Sequence, residues 1–160
     1  MADKRPHSGD MELAVAILIG FRQHAIVPNV SWGLGLNHEC DMLVLDSKDR
    51  FTEIEIKVIK SDLLADFKKT HGHESKIISR LVYAVPDYLL DSAIELVPRH
   101  QGIIAVKSIE INGTMVFKAH WVRIPKHNKL TQPLSQAKIR KFMELGLMRI
   151  WTLKAKNNGR

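Results

Sequence analysis

The stretch Glu53-Ile54-Glu55-Ile56-Lys57-Val58 constrains this chain most. Three charges alternate with three apolar residues. Side chains of a strand point to opposite faces with a period of two, so the stretch reads as a strand with one charged and one apolar face. Its companion is Cys40–Leu45, apolar except for Asp41, and the polar run Asp46-Ser47-Lys48-Asp49-Arg50 between them reads as a turn. Folding the two about Lys48 sets Leu45 opposite Phe51, Leu43 opposite Glu53, Asp41 opposite Glu55 and Glu39 opposite Lys57. Directly opposed Cβ atoms lie about 4.5–5.5 Å apart, so Asp41 and Glu55 would project side by side. A register slip of one residue would separate them; a slip of two would keep the face.

Two carboxylates that close repel unless a positive charge lies between them. Mg²⁺ suits the position, because it keeps several waters and takes one or two carboxylates from a protein. Lys57, two residues beyond Glu55 on the same face, can orient a water or neutralise charge developing on a phosphate. A solvent-facing charged row is the plainer alternative, and on spacing alone it is the commoner pattern.

Around this hairpin the expected order is helix, strand, strand, helix, strand, helix, strand, then a hairpin and a basic helix, a mixed α/β domain. A well-buried helix is expected over Asp10–His24 with Asp10 as N-cap, and Pro28–Asn37 reads as a connection. Phe51–Ile59 is the second strand, and Ser61 caps a short helix over Asp62–Thr70. Ile77–Val85 and Gly102–Val106 read as strands flanking a helix over Asp87–Val97. Asn112-Gly113 marks a tight hairpin between Ile109–Ile111 and Thr114–Ala119. The last helix is expected over Ser135–Leu145, with Ile139, Phe142 and Met143 inward and Gly146 as its stop. Leu147–Lys154 reads as a final strand. The expected division is a flexible arm 1–9, a core 10–107, a C-terminal extension 108–153 of the same domain, and a disordered basic tail 154–160.

Charge adds a partner class. The formal net charge is +7, yet residues 118–160 hold eleven Lys and Arg against the single acid Glu144. Residues 1–117 hold thirteen Lys and Arg against sixteen Asp and Glu. So basic a segment attracts polyanions through counterion release, unless it serves only as a solvated surface. The longest apolar run, Leu13–Ile19, is far short of the roughly 20 residues of a membrane span. The polar start shows no signal peptide, and one cysteine excludes an internal disulfide framework. The expectation is a cytoplasmic protein with no membrane partner. Zinc at His71-Gly-His73-Glu74 is disfavoured, because a structural site needs four ligands. Cys40 is expected as a small core residue facing away from Asp41.

Asp41 followed by Glu55-Ile56-Lys57 on the next strand, within this order of elements, resembles the PD-(D/E)XK nuclease superfamily over about residues 10–107. More narrowly, Glu55-Ile56-Lys57, Ser61-Asp62, Asp66-Phe67-Lys68-Lys69 and Tyr83-Ala84-Val85 before Gly102-Ile103-Ile104 resemble the MmcB-like DNA-repair endonucleases. Small archaeal Holliday-junction resolvases are a looser comparison. The resemblance implies a restriction-endonuclease-like core of helix, three strands, helix and strand, with an appended β-hairpin and basic C-terminal helix. It implies Mg²⁺- or Mn²⁺-dependent hydrolysis of DNA phosphodiester bonds, in repair, recombination or restriction. Asp41, Glu55 and the Ile56 carbonyl would be metal ligands, Lys57 the catalytic lysine, and Glu12 a further ligand from the first helix. Cys40 stands where the family's proline usually precedes the aspartate. Lys60, Lys68 and Lys69 near the site, and Lys138, Arg140 and Lys141 on the last helix, are the expected DNA contacts. The alternative is a nucleic-acid-binding or scaffold protein that keeps the fold without turnover. A homodimer stays open.

Overall fold

The computed structural model describes residues 5–67 and 75–159. Its elements are α1 (Ser8–Ile19), β1 (Ala25–Val30), β2 (Cys40–Leu45), β3 (Phe51–Ile56), α2 (Lys60–Asp66), β4 (Ile78–Pro86), α3 (Leu90–Leu96), β5 (Gly102–Ile111), β6 (Thr114–Arg123) and α4 (Gln136–Asn157). They form a mixed α/β fold around one six-stranded sheet in the order β1-β2-β3-β4-β5-β6. The pairs β1–β2, β2–β3 and β5–β6 are antiparallel; β3–β4 and β4–β5 are parallel.

The expected β2–β3 register holds for Leu45 opposite Phe51 and Leu43 opposite Glu53, but the ladder ends at Met42–Ile54 and does not include the expected Asp41–Glu55 and Glu39–Lys57 pairs. The Asp46 carboxylate ties the turn by accepting from the backbone N–H groups of Lys48 and Arg50 at 2.8 and 3.0 Å. Apolar residues alternate between two layers. Met42, Val44, Ile54, Val82, Ala84 and Ile104 pack beneath Met11, Ala14 and Val15 of α1. On the other face Leu43, Leu45 and Phe51 meet Phe142 and Leu145 of α4, while Leu81, Tyr83 and Ile103 meet Leu63 of α2 and Ala93 of α3. Each cluster removes several large side chains from water, at roughly 1.5–3 kcal/mol apiece.

Several elements depart from the sequence reading. Helix α1 begins at Ser8, inside the expected flexible arm, with His7 as N-cap, and Asp10 accepts the His7 N–H from the third helical position at 2.9 Å. It ends at Gly20, which adopts the left-handed φ of 90°. The helix is not buried all round: Leu13 and Ile17 face outward. Ala25–Val30 is a strand despite Pro28, because it lies at the sheet edge where a missing N–H is tolerated. Helix α2 starts at Lys60 after Ile59, and the Ser61 side chain does not cap it. A 3-10 turn over Asp87–Leu89 precedes α3. Strand β5 runs unbroken through Lys107 and Ser108, so the hairpin is a continuation of the sheet and no break falls at 107/108. Asn112 and Gly113 both take positive φ, as a two-residue hairpin turn requires.

The largest departure is α4. It passes through Gly146 to Asn157, so Leu147–Lys154 is helix rather than strand and the basic tail is helical over most of its length. Gly146 permits close approach instead of stopping the helix: a Cβ there would meet Val27 Cγ2 of β1 at 3.0 Å. Met143 points outward, while Phe142 is fully buried. Trp121 packs against the core under α1. Among the described residues no helix is long and apolar enough to cross a membrane.

Candidate active site

The β2–β3 ladder stops at Met42–Ile54. Beyond it the Asp41 side chain replaces the backbone partner: Oδ2 accepts the N–H of Ile56 at 2.7 Å. This fixes the carboxylate at the end of β3. Ile56 is the last, half-buried residue of that strand. The Lys57 N–H then bonds the Ala84 carbonyl at 3.0 Å, which anchors the chain as it leaves the sheet.

Glu55 is 4% exposed. Lys57 Nζ donates to its Oε2 at 2.8 Å, and its Oε1 is buried without a hydrogen-bond partner. Burial pushes the Glu55 carboxyl up to about 7; Lys57 opposes that rise, and the charges of Asp41 and Glu53 reinforce it. Lys57 Nζ also lies 3.4 Å from Asp66 Oδ1, and Asp66 Oδ2 accepts from the Tyr83 hydroxyl at 2.7 Å. Burial alone would lower the Lys57 pKa, but Glu55, then Asp66 and Asp41, outweigh it and raise it, so the ammonium is held charged. Glu12 of α1 meets the group through Asp41, its pKa raised by burial and then by the Asp41 charge. Asp41 is thus coupled electrostatically to Glu12 on one hand and to Glu55 and Lys57 on the other, while Glu55 and Asp66 are the carboxylates in contact with the Lys57 ammonium. The group sits where parallel strands β3 and β4 end, the position where open α/β sheets usually bind ligands. A cleft of about 860 Å³ lined by Arg80, His100, Lys126 and His127 opens instead beside Ile78, where β4 begins.

The expected DNA contacts are not brought together. Lys60 opens α2 and is exposed; Lys68 and Lys69, like His71, His73 and Glu74, lie outside the described residues. Lys138 Nζ donates to the Leu34 carbonyl at 3.0 Å, and Lys141 Nζ sits 4.8 Å from the Trp32 ring centroid. Both therefore turn toward the 32–34 loop, and of the three only Arg140 points outward, paired with Glu144 at 3.2 Å. The long alkyl stems of lysine pack well against such a loop.

Sequence reasoning named Asp66 and Tyr83 only as part of the resemblance and gave them no role, whereas they hold Lys57 from behind; it also missed a second cluster. His38 Nε2 lies 2.5 Å from Glu53 Oε1 and 3.7 Å from Cys40 Sγ, and its Nδ1 lies 2.7 Å from Asn37 Oδ1. These ligand atoms of His38, Cys40 and Glu53 all lie within 4.8 Å of one another. Cys40 and Glu53 are fully buried. Strict alternation would have put Cys40 with Met42 beneath α1. It instead joins the Leu43 and Leu45 face, because the strand switches sides at Asp41, opposite the left-handed Asn29 (φ 52°) of β1. The short His38-Glu39-Cys40-Asp41 string was the available signal.

No protein-family model matches the chain, and no curated protein does. Among solved structures the chain is similar to a protein of unknown function from Silicibacter pomeroyi, with a TM-score of 0.65 and 19% identity over 99% of this chain and 95% of that one. The similarity is one of fold.

Proposed function

We propose that this protein is a divalent-metal-dependent phosphodiesterase acting on DNA, with Glu12, Asp41, Glu55 and the Ile56 carbonyl toward Mg²⁺ or Mn²⁺ and Lys57 toward the phosphate. The observation that carries the reading is Glu55, whose Oε1 is buried without a partner beside a second carboxylate. An unsatisfied buried acceptor costs about 1–3 kcal/mol, and a hard cation would offset that. The donor set fits such a cation: all oxygen, with an excess of negative charge over the one ammonium. The element order α1-β1-β2-β3-α2-β4 also agrees with the helix, three strands, helix, strand order that the family resemblance implies.

Bound Mg²⁺ would supply charge neutralisation at the scissile phosphate. The chain's residues do the rest. Asp41, pinned by the Ile56 N–H through Oδ2, would offer a metal a carboxylate already fixed in place. Asp66, itself held by Tyr83, is a second partner for Lys57 and would retain its charged ammonium at the site if Glu55 held a metal. Closely fixed partners of this kind lower the reorganisation cost of the reaction.

The test is incubation of the full chain with linear, circular, single-stranded, flapped and four-way DNA, in Mg²⁺, Mn²⁺ or EDTA. Cleavage in either metal and none in EDTA is expected. Retained DNA binding without cleavage of any substrate would instead favour the nucleic-acid-binding alternative.

A further inference from the structure

We propose that His38, Cys40 and Glu53 form a second metal site, for Zn²⁺ or a similar transition-metal dication, separate from the four residues of the candidate active site. The inference goes beyond the phosphodiesterase reading and does not depend on it.

The argument begins with the His38 ring. Its Nδ1 faces the Asn37 side-chain oxygen at 2.7 Å, so Nδ1 carries the proton and donates it. That leaves the Nε2 lone pair pointing at Glu53 Oε1, itself an acceptor, 2.5 Å away. Two acceptors this close need a positive charge between them, either a proton or a metal. An outer-shell partner that fixes the tautomer through the other ring nitrogen is also the usual companion of a metal-binding histidine.

Cys40 makes the choice chemical. Its Sγ lies 3.7 Å from His38 Nε2. A tetrahedral zinc, with Zn–N near 2.0 Å and Zn–S near 2.3 Å, sets nitrogen and sulfur about 3.5 Å apart. The sulfur–nitrogen edge is therefore close to formed. The His38–Glu53 edge must open by roughly 0.9 Å to reach a zinc nitrogen–oxygen edge. His38, whose side chain is 22% exposed, can give that movement and is also the route from solvent. Thiolate with imidazole selects Zn²⁺ and its neighbours over Mg²⁺. On binding, Cys40 gives its thiol proton to solvent, the proton between His38 and Glu53 leaves too, and water takes the open position, as where three protein ligands hold zinc.

The face switch at Asp41 is what assembles this set. A strand that kept strict alternation would send Cys40 under α1, away from Glu53. Cys40, the first residue of β2, then shares a side with Glu53 of the neighbouring strand, and the bend at Asn37 and His38 brings the His38 ring to both.

The test uses Co²⁺ as a spectroscopic probe on the reduced, EDTA-treated full chain. The expected result is a thiolate-to-cobalt charge-transfer band in the near ultraviolet, saturating at one equivalent and abolished by one equivalent of Zn²⁺. As Cys40 is the chain's one cysteine, the band reports this site alone, and excess Mg²⁺ leaves it unchanged. Asn37→Ala should weaken Co²⁺ binding about 10-fold or more, as loss of an outer-shell partner does, and His38→Gln more than that. Both positions are at least partly exposed, and circular dichroism checks that each variant is folded. No band from the folded, reduced protein, or equal affinity in folded His38→Gln, overturns the proposal. Neither result bears on DNA cleavage, and absence of cleavage leaves the band expected.

Discussion

The Asp41 carboxylate accepts the backbone N–H of Ile56 at 2.7 Å, at the point where the β2–β3 ladder ends. One side chain thereby does two things. It caps the end of β3 beside Glu55, and it marks the place where β2 changes face. Asp41 is thus within electrostatic reach of Glu12, Glu55 and Lys57, and the residue before it, Cys40, lies against His38 and near Glu53.

Glu55 should make the metal-free protein pH-sensitive. Its folded pKa, about 7, lies above the unfolded value near 4.5. Its contribution to stability is then full below about pH 4.5 and is lost as pH rises through about 7. Urea midpoints in EDTA should show this component falling between pH 5 and 8, and Glu55→Gln should flatten it. Adding Mg²⁺ at pH 8 should raise the midpoint of the parent and not of Glu55→Gln. A parent midpoint indifferent to Mg²⁺ would count against cation binding there.

Asp46 should behave in the opposite sense. Burial alone would raise its pKa, but the Lys48 and Arg50 N–H groups and Arg80 outweigh that and hold it below the usual carboxylate value. Its contribution is therefore present above the unfolded pKa and lost as pH falls through the folded one. Asp46→Ala removes two turn hydrogen bonds and the 3.0 Å pair with Arg80. Denaturant titration at pH 7 should show a loss of about 1–3 kcal/mol, shrinking toward acid.

Gly146 is needed for the seat of α4 on β1. In an open helix its replacement by leucine would help by up to about 1 kcal/mol. Here the new side chain meets Val27, so Gly146→Leu should cost about 1–3 kcal/mol in thermal or urea unfolding. Stabilisation would show that α4 sits further from the sheet.

The cations of α4 best placed to meet a phosphate backbone are the solvent-facing ones, Arg140 among them despite its exposed pair with Glu144. Arg140, Lys154 and Lys156 are exposed, whereas Lys138 and Lys141 turn to the 32–34 loop. Replacing Arg140, Lys154 and Lys156 by Ala should weaken DNA binding alike for all sequences. It should also reduce the log–log salt slope by about 0.9 per lost contact. Lys138→Ala and Lys141→Ala should act chiefly on stability. Fluorescence anisotropy across a salt series separates these outcomes.

The hairpin from Leu45–Phe51 to Leu43–Glu53 was legible because its polar turn and alternating residues fix the register there. The placing of Asp41 beside the end of β3 was not legible in detail, because the ladder ends at Met42–Ile54 and β2 changes face at Asp41. The mixed α/β class was legible for similar reasons. Strand β1 was not, because Pro28 argues against any strand that lacks an edge position, and edge position is a property of the whole sheet. The second half of α4 was hidden by Gly146, whose role is a contact with β1 that lies far away in sequence. Lys138 and Lys141 looked like free surface charge until the loop at Trp32 and Leu34 folded against them. The His38, Cys40 and Glu53 cluster was invisible to period-two reasoning because it exists only where that period breaks.

The most direct measurement is the cleavage rate of one DNA substrate at saturating Mg²⁺ by the parent, Glu55→Gln and Lys57→Ala proteins, each checked for native circular dichroism. The account predicts cleavage by the parent that EDTA abolishes, and losses of about 10²–10³-fold or more in each variant. Metal-dependent cleavage that persists unchanged in Glu55→Gln would contradict it.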